Sequence, residues 1–232
     1  TMKKMILSAA LVLASTAAMA QSGTFQLKAN LKNMGDTIIV YKGRGEKRDT
    51  ILVKKDKFTY SATLTQPKEM MFAQPAIFRG GRAEAFYLVC VPGETAEVVG
   101  DLKAKFDIKG SNFYKQFAEV DAMKDEADKE LADFEKSINE KMKNGGDREA
   151  LMKEYEEKAP ALTKVKEEKM LAFIGQHPDY EASATLIGEM SSCENMQKAV
   201  DMLSAQVKNG RMKAFYEPIV ERAKKQAEME EK

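Results

Sequence analysis

The sequence predicts an α+β protein: an N-terminal antiparallel β-sandwich or barrel-like module, then an all-α domain built on a long antiparallel helical hairpin. Three observations carry this. From Thr24 to Gly110 apolar residues alternate with polar ones, and turn residues recur at short, regular spacing. From Phe113 onward the apolar residues fall three and four apart. Between the two lies Phe106-Asp107-Ile108-Lys109-Gly110-Ser111-Asn112, where the period changes. Gly110 frees the backbone to turn, and Ser111 or Asn112 can accept the open N–H groups of a new helix. The seam divides the chain into a leader at 1–20, a β-sandwich domain at 21–110 and a helical domain at 111–232.

Within the β half, strands are expected at Phe25–Leu31, Thr37–Lys42, Thr50–Lys54, Phe58–Leu64, Met70–Phe78, Ala85–Val91, Ala96–Val99 and Phe106–Lys109. Turn chemistry separates them: Asn33-Met34-Gly35-Asp36, Gly43-Arg44-Gly45, Lys55-Asp56-Lys57, Arg79-Gly80-Gly81-Arg82 and Pro92-Gly93-Glu94. Pro75 removes a ladder donor, so a bulge or an edge is expected there.

In the α half, Phe113, Phe117, Val120, Ala127, Leu131, Phe134 and Ile138 form one stripe, with Lys124 its single charged intruder. Asn144-Gly145-Gly146-Asp147 breaks the stripe, and Asp147 can cap a second arm through Leu151, Tyr155, Leu162, Val165 and Phe173. Pro160 should kink or split that arm. Shorter helices are expected at Glu181–Met190, Cys193–Lys208 and Met212–Ala227. Ser191-Ser192-Cys193-Glu194 reads as a capping box with Ser191 as the cap, and Asn209-Gly210 as a stop.

Composition narrows function by exclusion. The 232 residues carry a net charge of +1, no Trp and one His. Such a balance lacks the basic surplus that binding to nucleic acid requires. Lys3-Lys4, the apolar run Met5–Ala14 and the small-x-small site Ala18-Met19-Ala20 predict a signal peptide cleaved before Gln21. Its apolar part is too short for a membrane span, and no Cys near the cleavage site offers a lipid anchor. The expected product is an exported, soluble protein of the periplasm.

Candidate chemistry is sparse. No paired carboxylates, Ser-His-Asp set or Gly-x-Ser-x-Gly elbow is present, so no catalytic residues, cofactor or metal are predicted. His177 sits before Pro178 at a helix end, and the Met residues read as core filler. Two thiols are redox candidates: Cys193, in the first turn of a capped helix, and Cys90, in an apolar strand. No Cys-x-x-Cys joins them. Two basic turns, carrying Arg44 and Arg48 and then Arg79 and Arg82, are ligand-binding candidates that would face one end of the sandwich and hold a small acidic ligand. Neither turn opens a helix, so neither is a phosphate-cradling loop of the nucleotide-binding kind.

The run Asp36–Leu64, Phe86-Tyr87-Leu88-Val89 with Pro92-Gly93-Glu94, and Ile108-Lys109-Gly110-Ser111 carry a likeness. Together they resemble the β-rich domain of unknown function at the N-terminus of secreted thioredoxin-like proteins. Those belong to the alkyl-hydroperoxide-reductase and thiol-specific-antioxidant superfamily of Gram-negative bacteria. Phe173-Ile174-Gly175-Gln176-His177-Pro178-Asp179, with Ser183 and Leu186, looks like the segment preceding the thioredoxin domain there. The Trp-Cys-x-x-Cys site of that family has no counterpart in this sequence, and Lys55-Asp56-Lys57 lacks the Gly common in that turn. With no catalytic set in the residues, the expected function is a non-catalytic binding or interaction module of the periplasm with a protein or small acidic ligand as partner, and the resemblance implies a redox or envelope-stress setting for it. The alternative is a thiol-redox protein, or redox partner, using Cys193.

Overall fold

The computed structural model describes residues 22–230. The expected leader, its cleavage site and Gln21 lie outside the described residues.

Eight strands come first: β1 (Gly23–Lys32), β2 (Thr37–Tyr41), β3 (Asp49–Leu52), β4 (Lys57–Leu64), β5 (Lys68–Ala73), β6 (Ala85–Cys90), β7 (Thr95–Asp101) and β8 (Phe106–Gly110). They form two four-stranded sheets, ordered β4-β1-β7-β8 and β3-β2-β5-β6. In β1, Phe25, Leu27, Ala29 and Leu31 are buried while Thr24, Gln26, Lys28 and Asn30 face solvent. This alternation pins the register, because a one-residue slip would expose all four apolar side chains. Aromatic rings meet between the sheets, with Phe58 6.3 Å from Phe72 and Phe86 5.8 Å from Phe106. The β half is a sandwich.

One pairing departs from the antiparallel expectation. β1 runs antiparallel to β4 but parallel to β7, with Gln26 facing Thr95 and Asn30 facing Val99. The chain leaves the first sheet after β1, returns as β4, leaves again for β5 and β6, and returns as β7. Period-2 alternation reports burial and says nothing of strand direction.

The strand expected over Met70–Phe78 ends at Ala73, and Pro75–Arg79 forms a 3-10 turn instead of a bulge. Pro75 opens the turn, where its missing N–H costs nothing. Gln74 continues the ladder with its side chain, donating to the Asn33 carbonyl at 2.8 Å and accepting from the Glu84 N–H at 3.1 Å. The β3–β4 turn holds both Lys55 (φ 52°) and Asp56 (φ 59°) in the left-handed region between the bridged residues Lys54 and Lys57. That is the type I′ hairpin geometry, reached here without glycine.

The α half opens with α1 (Asn112–Lys143) and α2 (Arg148–Gln176), an antiparallel hairpin. Asp147 caps α2, accepting from the N–H groups of Glu149 and Ala150 at 2.9 and 3.2 Å. Pro160 does not split α2, which runs through it as one helix. The helix expected at Glu181–Met190 is a 3-10 segment, Glu181–Glu189. The next divides into α3 (Cys193–Met202) and α4 (Ala205–Lys208), because Leu203 is extended and Ser204 donates its N–H to the Pro178 carbonyl at 3.0 Å. α5 (Lys213–Glu230) is the last element of the described residues. Ser192, not Ser191, caps α3, its hydroxyl accepting from the Asn195 N–H at 3.1 Å. Among the described residues, no helix is long and apolar enough to cross a membrane.

The base of the hairpin is fused to the sandwich. Phe113, Tyr114, Phe117 and Val120 of α1, with Met170 and Ile174 of α2, belong to the same buried cluster as Phe25 and Leu88. The Tyr114 ring lies 6.3 Å from Phe25, and its hydroxyl donates to the Val89 carbonyl at 2.7 Å. Gly110, at φ 153°, lets β8 run into α1 hard against β7: a Cβ there would sit 2.0 Å from the Thr95 carbonyl oxygen. The boundary expected after Gly110 is thus a chain junction inside a shared core. Toward its tip the hairpin is held by its own contacts. Phe134 stacks on Tyr155 at 5.9 Å, the Tyr155 hydroxyl donates to Glu135 at 2.9 Å, and Lys166 pairs with Asp128 at 2.6 Å.

Candidate functional site

The helices are locked over the sandwich by a buried carboxylate. The Pro92-Gly93-Glu94 turn between β6 and β7 presents Glu94, which is 8% exposed. Its carboxylate accepts from the Ser111 hydroxyl, from the Phe113 N–H at 3.4 Å and from Arg211 Nη2 at 2.6 Å. Ser111 therefore heads α1 without capping it by its own side chain. The same guanidinium donates to the Pro92 carbonyl at 3.0 Å and, through Nε and Nη2, to Glu181. Burial pushes the Glu94 carboxyl up, but the bonds from Ser111 and Arg211 outweigh it and hold it below the ordinary carboxylate value. One arginine thus ties the sandwich, the start of α1 and the 3-10 segment into one frame.

That frame leaves a cleft of about 720 Å³ where β5, β6 and β8 meet α1, the 3-10 segment and α5. Its apolar lining comes from both halves: Val89, Phe106 and Ile108 from the strands, Phe117 from α1, and Phe215 and Ile219 from α5. Tyr87 stands 60% exposed among the lining residues. The charges are unevenly matched. Lys124 pairs with Glu189, and Lys105 with Asp125 at 3.4 Å. Glu69 on β5 and Asp121 on α1 form no hydrogen bond or ion pair among the described residues, and each carries a raised pKa. For Glu69, an exposed residue, the cause is desolvation at the cleft wall and then repulsion from Glu189, opposed by Lys124. For Asp121 it is burial, then repulsion from Asp125. A concave site that combines apolar walls with convergent polar groups is suited to small-molecule binding.

No family model, curated protein or solved structure matches this chain.

The arginines singled out from sequence do not line this cleft. Arg48 lays its guanidinium over the Phe78 ring at 4.1 Å and near Tyr41 at 5.8 Å, which brings the β2–β3 loop onto the 3-10 turn that carries Arg79. Arg44, Arg79 and Arg82 are exposed and form no ion pair among the described residues. Nearby, Lys42 pairs with Asp49 at 3.1 Å and Lys68 with Glu46. Of the four candidates, only Arg48 is seated.

The cysteines are both free thiols. Cys90 is fully buried in β6, and burial pushes its thiol far up. Cys193 is half-buried at the first residue of α3. The buried carboxylate of Glu167 brackets it, accepting from the Ser191 N–H and from the Asn195 side-chain amide. His177 caps α2 with its ring between Phe173 and Tyr180, at 4.5 and 4.6 Å. Met34, Met70, Met170 and Met212 are buried core side chains.

Glu69 and Asp121 were missed by sequence reasoning. One signal pointed to them: Lys124 interrupts the apolar stripe of α1, and it lies one turn from Asp121 in the wall of the cleft.

Proposed function

We propose that this chain is an exported, non-catalytic binding module whose ligand site is the cleft between the sandwich and the helices. The observation that carries the reading is that cleft of about 720 Å³, walled with apolar side chains from both halves of the chain. A site built from two modules and braced by the Arg211 frame is pre-formed, so binding need not order it first. Export rests on the leader pattern at residues 1–20, and a periplasmic redox or envelope-stress setting rests on the resemblance to secreted thioredoxin-like proteins.

The test uses the neutral dye N-phenyl-1-naphthylamine, whose emission rises in apolar surroundings. The native chain should bind it saturably. Ala104→Trp, at an exposed position in the cleft lining, should abolish binding while leaving the circular dichroism unchanged. Equal binding by the folded variant, or none by the native chain, overturns the reading.

A further inference from the structure

We infer that this chain forms a dimer through the free edge of β4, two copies pairing antiparallel about Ser61 so that their first sheets join into one. Each sheet of the sandwich has two edges, β4 and β8 in the first and β3 and β6 in the second. Three of the four are blunted. β8 is flanked by α1, tied down beside its start by the Lys105–Asp125 pair, and the Val89 carbonyl on the outer side of β6 is taken by the Tyr114 hydroxyl. β3 has only four residues. β4 has eight, runs against β1 without a bulge, and lies in a stretch from Phe58 to Pro67 that holds no charge. A long edge with no charge, bulge or proline of its own is a template for another strand, and natural chains cover or pair such edges.

The hydrogen-bond phase of β4 shows what the edge offers. Leu31 donates its N–H to the Asp56 carbonyl at 2.8 Å, and the ladder alternates from there. Phe58, Tyr60, Ala62 and Leu64 therefore turn their backbone groups to β1. Thr59, Ser61 and Thr63 turn theirs outward, where no strand of the described residues meets them. All three are exposed. The space beside them is open, with grooves of about 610 and 440 Å³ lined by Phe58 and Thr59 at one end and by Ser61, Thr63 and Leu64 at the other.

The partner is a second copy because the edge is its own complement. Thr59-x-Ser61-x-Thr63 reads the same in both directions. With a two-fold axis at Ser61, Thr59 faces Thr63 of the second copy and Ser61 faces its own counterpart, and each facing pair exchanges both N–H···O bonds. Hydroxyl-bearing pairs of this kind are favourable cross-strand neighbours. On the inner face Tyr60 falls opposite Ala62, a large ring against a small side chain, and Phe58 falls opposite Leu64, apolar against apolar. A two-fold sets every charge at the axis against its own like, and this stretch has none to repel. The pairing closes on itself. Because β8 is flanked by α1, the joined sheet ends there and assembly stops at two.

The experiment is sedimentation equilibrium of the native chain from micromolar to millimolar concentration, with circular dichroism to check folding. The mass should double over that range. Ser61→Lys and Ser61→Glu, at an exposed site paired with the neutral Gln26, should each stay folded and monomeric, because each sets like charges face to face at the axis. An equimolar mixture of the two variants should recover the dimer, since lysine then meets glutamate. A native chain that stays monomeric throughout overturns the inference. So does a dimer that survives either substitution, which would place the interface on another surface. A mixture of folded variants that stays monomeric, or a native mass that grows past two copies, overturns the paired edge as well. None of these outcomes bears on the cleft, which no residue of β4 lines.

Discussion

Arg211 reaches Pro92, Glu94 and Glu181 with one guanidinium, so its loss strands two carboxylates at once. Arg211→Ala should cost about 2 kcal/mol, less than for a fully enclosed pair because the arginine is partly exposed. Denaturant midpoints with an unchanged m-value measure it. The pH dependence has a definite sign. Glu94 has its folded pKa below its unfolded one, so its contribution is present above the unfolded value and is lost as pH falls through the folded value. Arg211→Ala should therefore flatten the acid side of the stability profile. Asp121 has the opposite sign, its folded pKa being raised, so the ionised group costs stability at neutral pH and that cost disappears on acidification. Asp121→Asn should raise the midpoint at pH 7 and give no gain at acid pH. A gain that persists into acid would mean that the side chain acts through packing and not through charge. At the β3–β4 turn, Lys55 and Asp56 hold positive φ without being glycine. Lys55→Asn/Asp56→Gly, the favoured type I′ pair, should stabilise by about 1 kcal/mol, read the same way. For the thiols, a maleimide probe should label Cys193 in the native protein and Cys90 only after unfolding, because burial shields it. Fast native labelling at Cys90 would contradict the placement of β6.

At the scale of elements, the hairpin tip is where the chain should first open. Asn144, Gly145, Gly146 and Asp147 are all exposed, whereas Gly110 and Ser111 sit in the shared junction. Limited proteolysis should cut at Asn144–Asp147 before it cuts near Gly110. The reverse order would mean that the sandwich and helices are joined by a linker. The strands were legible in the sequence because each carries its own alternation, as β1 does from Phe25 to Leu31, and the hairpin was legible because Asp147 and its paired glycines punctuate a long stripe. What was not legible depended on partners distant in the chain. Pro75 reads as a defect in a strand until Gln74 is seen bonding to Asn33 and Glu84. The capping residue of α3 is Ser192, while the Ser191 N–H goes to Glu167 on another helix. The cleft was hidden for the same reason, since Glu69 and Asp121 belong to unremarkable local patterns and acquire meaning only where β5 and α1 face each other. The basic turns illustrate the converse, an eye-catching local pattern in which only Arg48 finds an aromatic seat.

For the whole molecule, the buried cluster running from Phe25 through Tyr114 to Ile174 and Leu186 joins the two halves, so they are expected to unfold together. Heating should give a single transition in which the calorimetric and van't Hoff enthalpies agree. Two resolved transitions would restore the picture of separate domains. The outer part of the hairpin, held by Phe134, Tyr155 and surface ion pairs, is the part expected to fray below that transition without exposing the core.

The parallel pairing of β1 with β7 also sets a timetable. Of the described strands, the first to emerge during synthesis is an interior strand of its sheet, and one of its flanks stays bare until Asp101 has been made. Through that interval an unpaired strand edge is available to neighbouring chains, the circumstance in which strand edges aggregate. The nascent chain therefore has reason to be kept unfolded by a holding chaperone until β7 has been made, and rapid folding of β1 to β6 alone would be a hazard to it rather than an advantage.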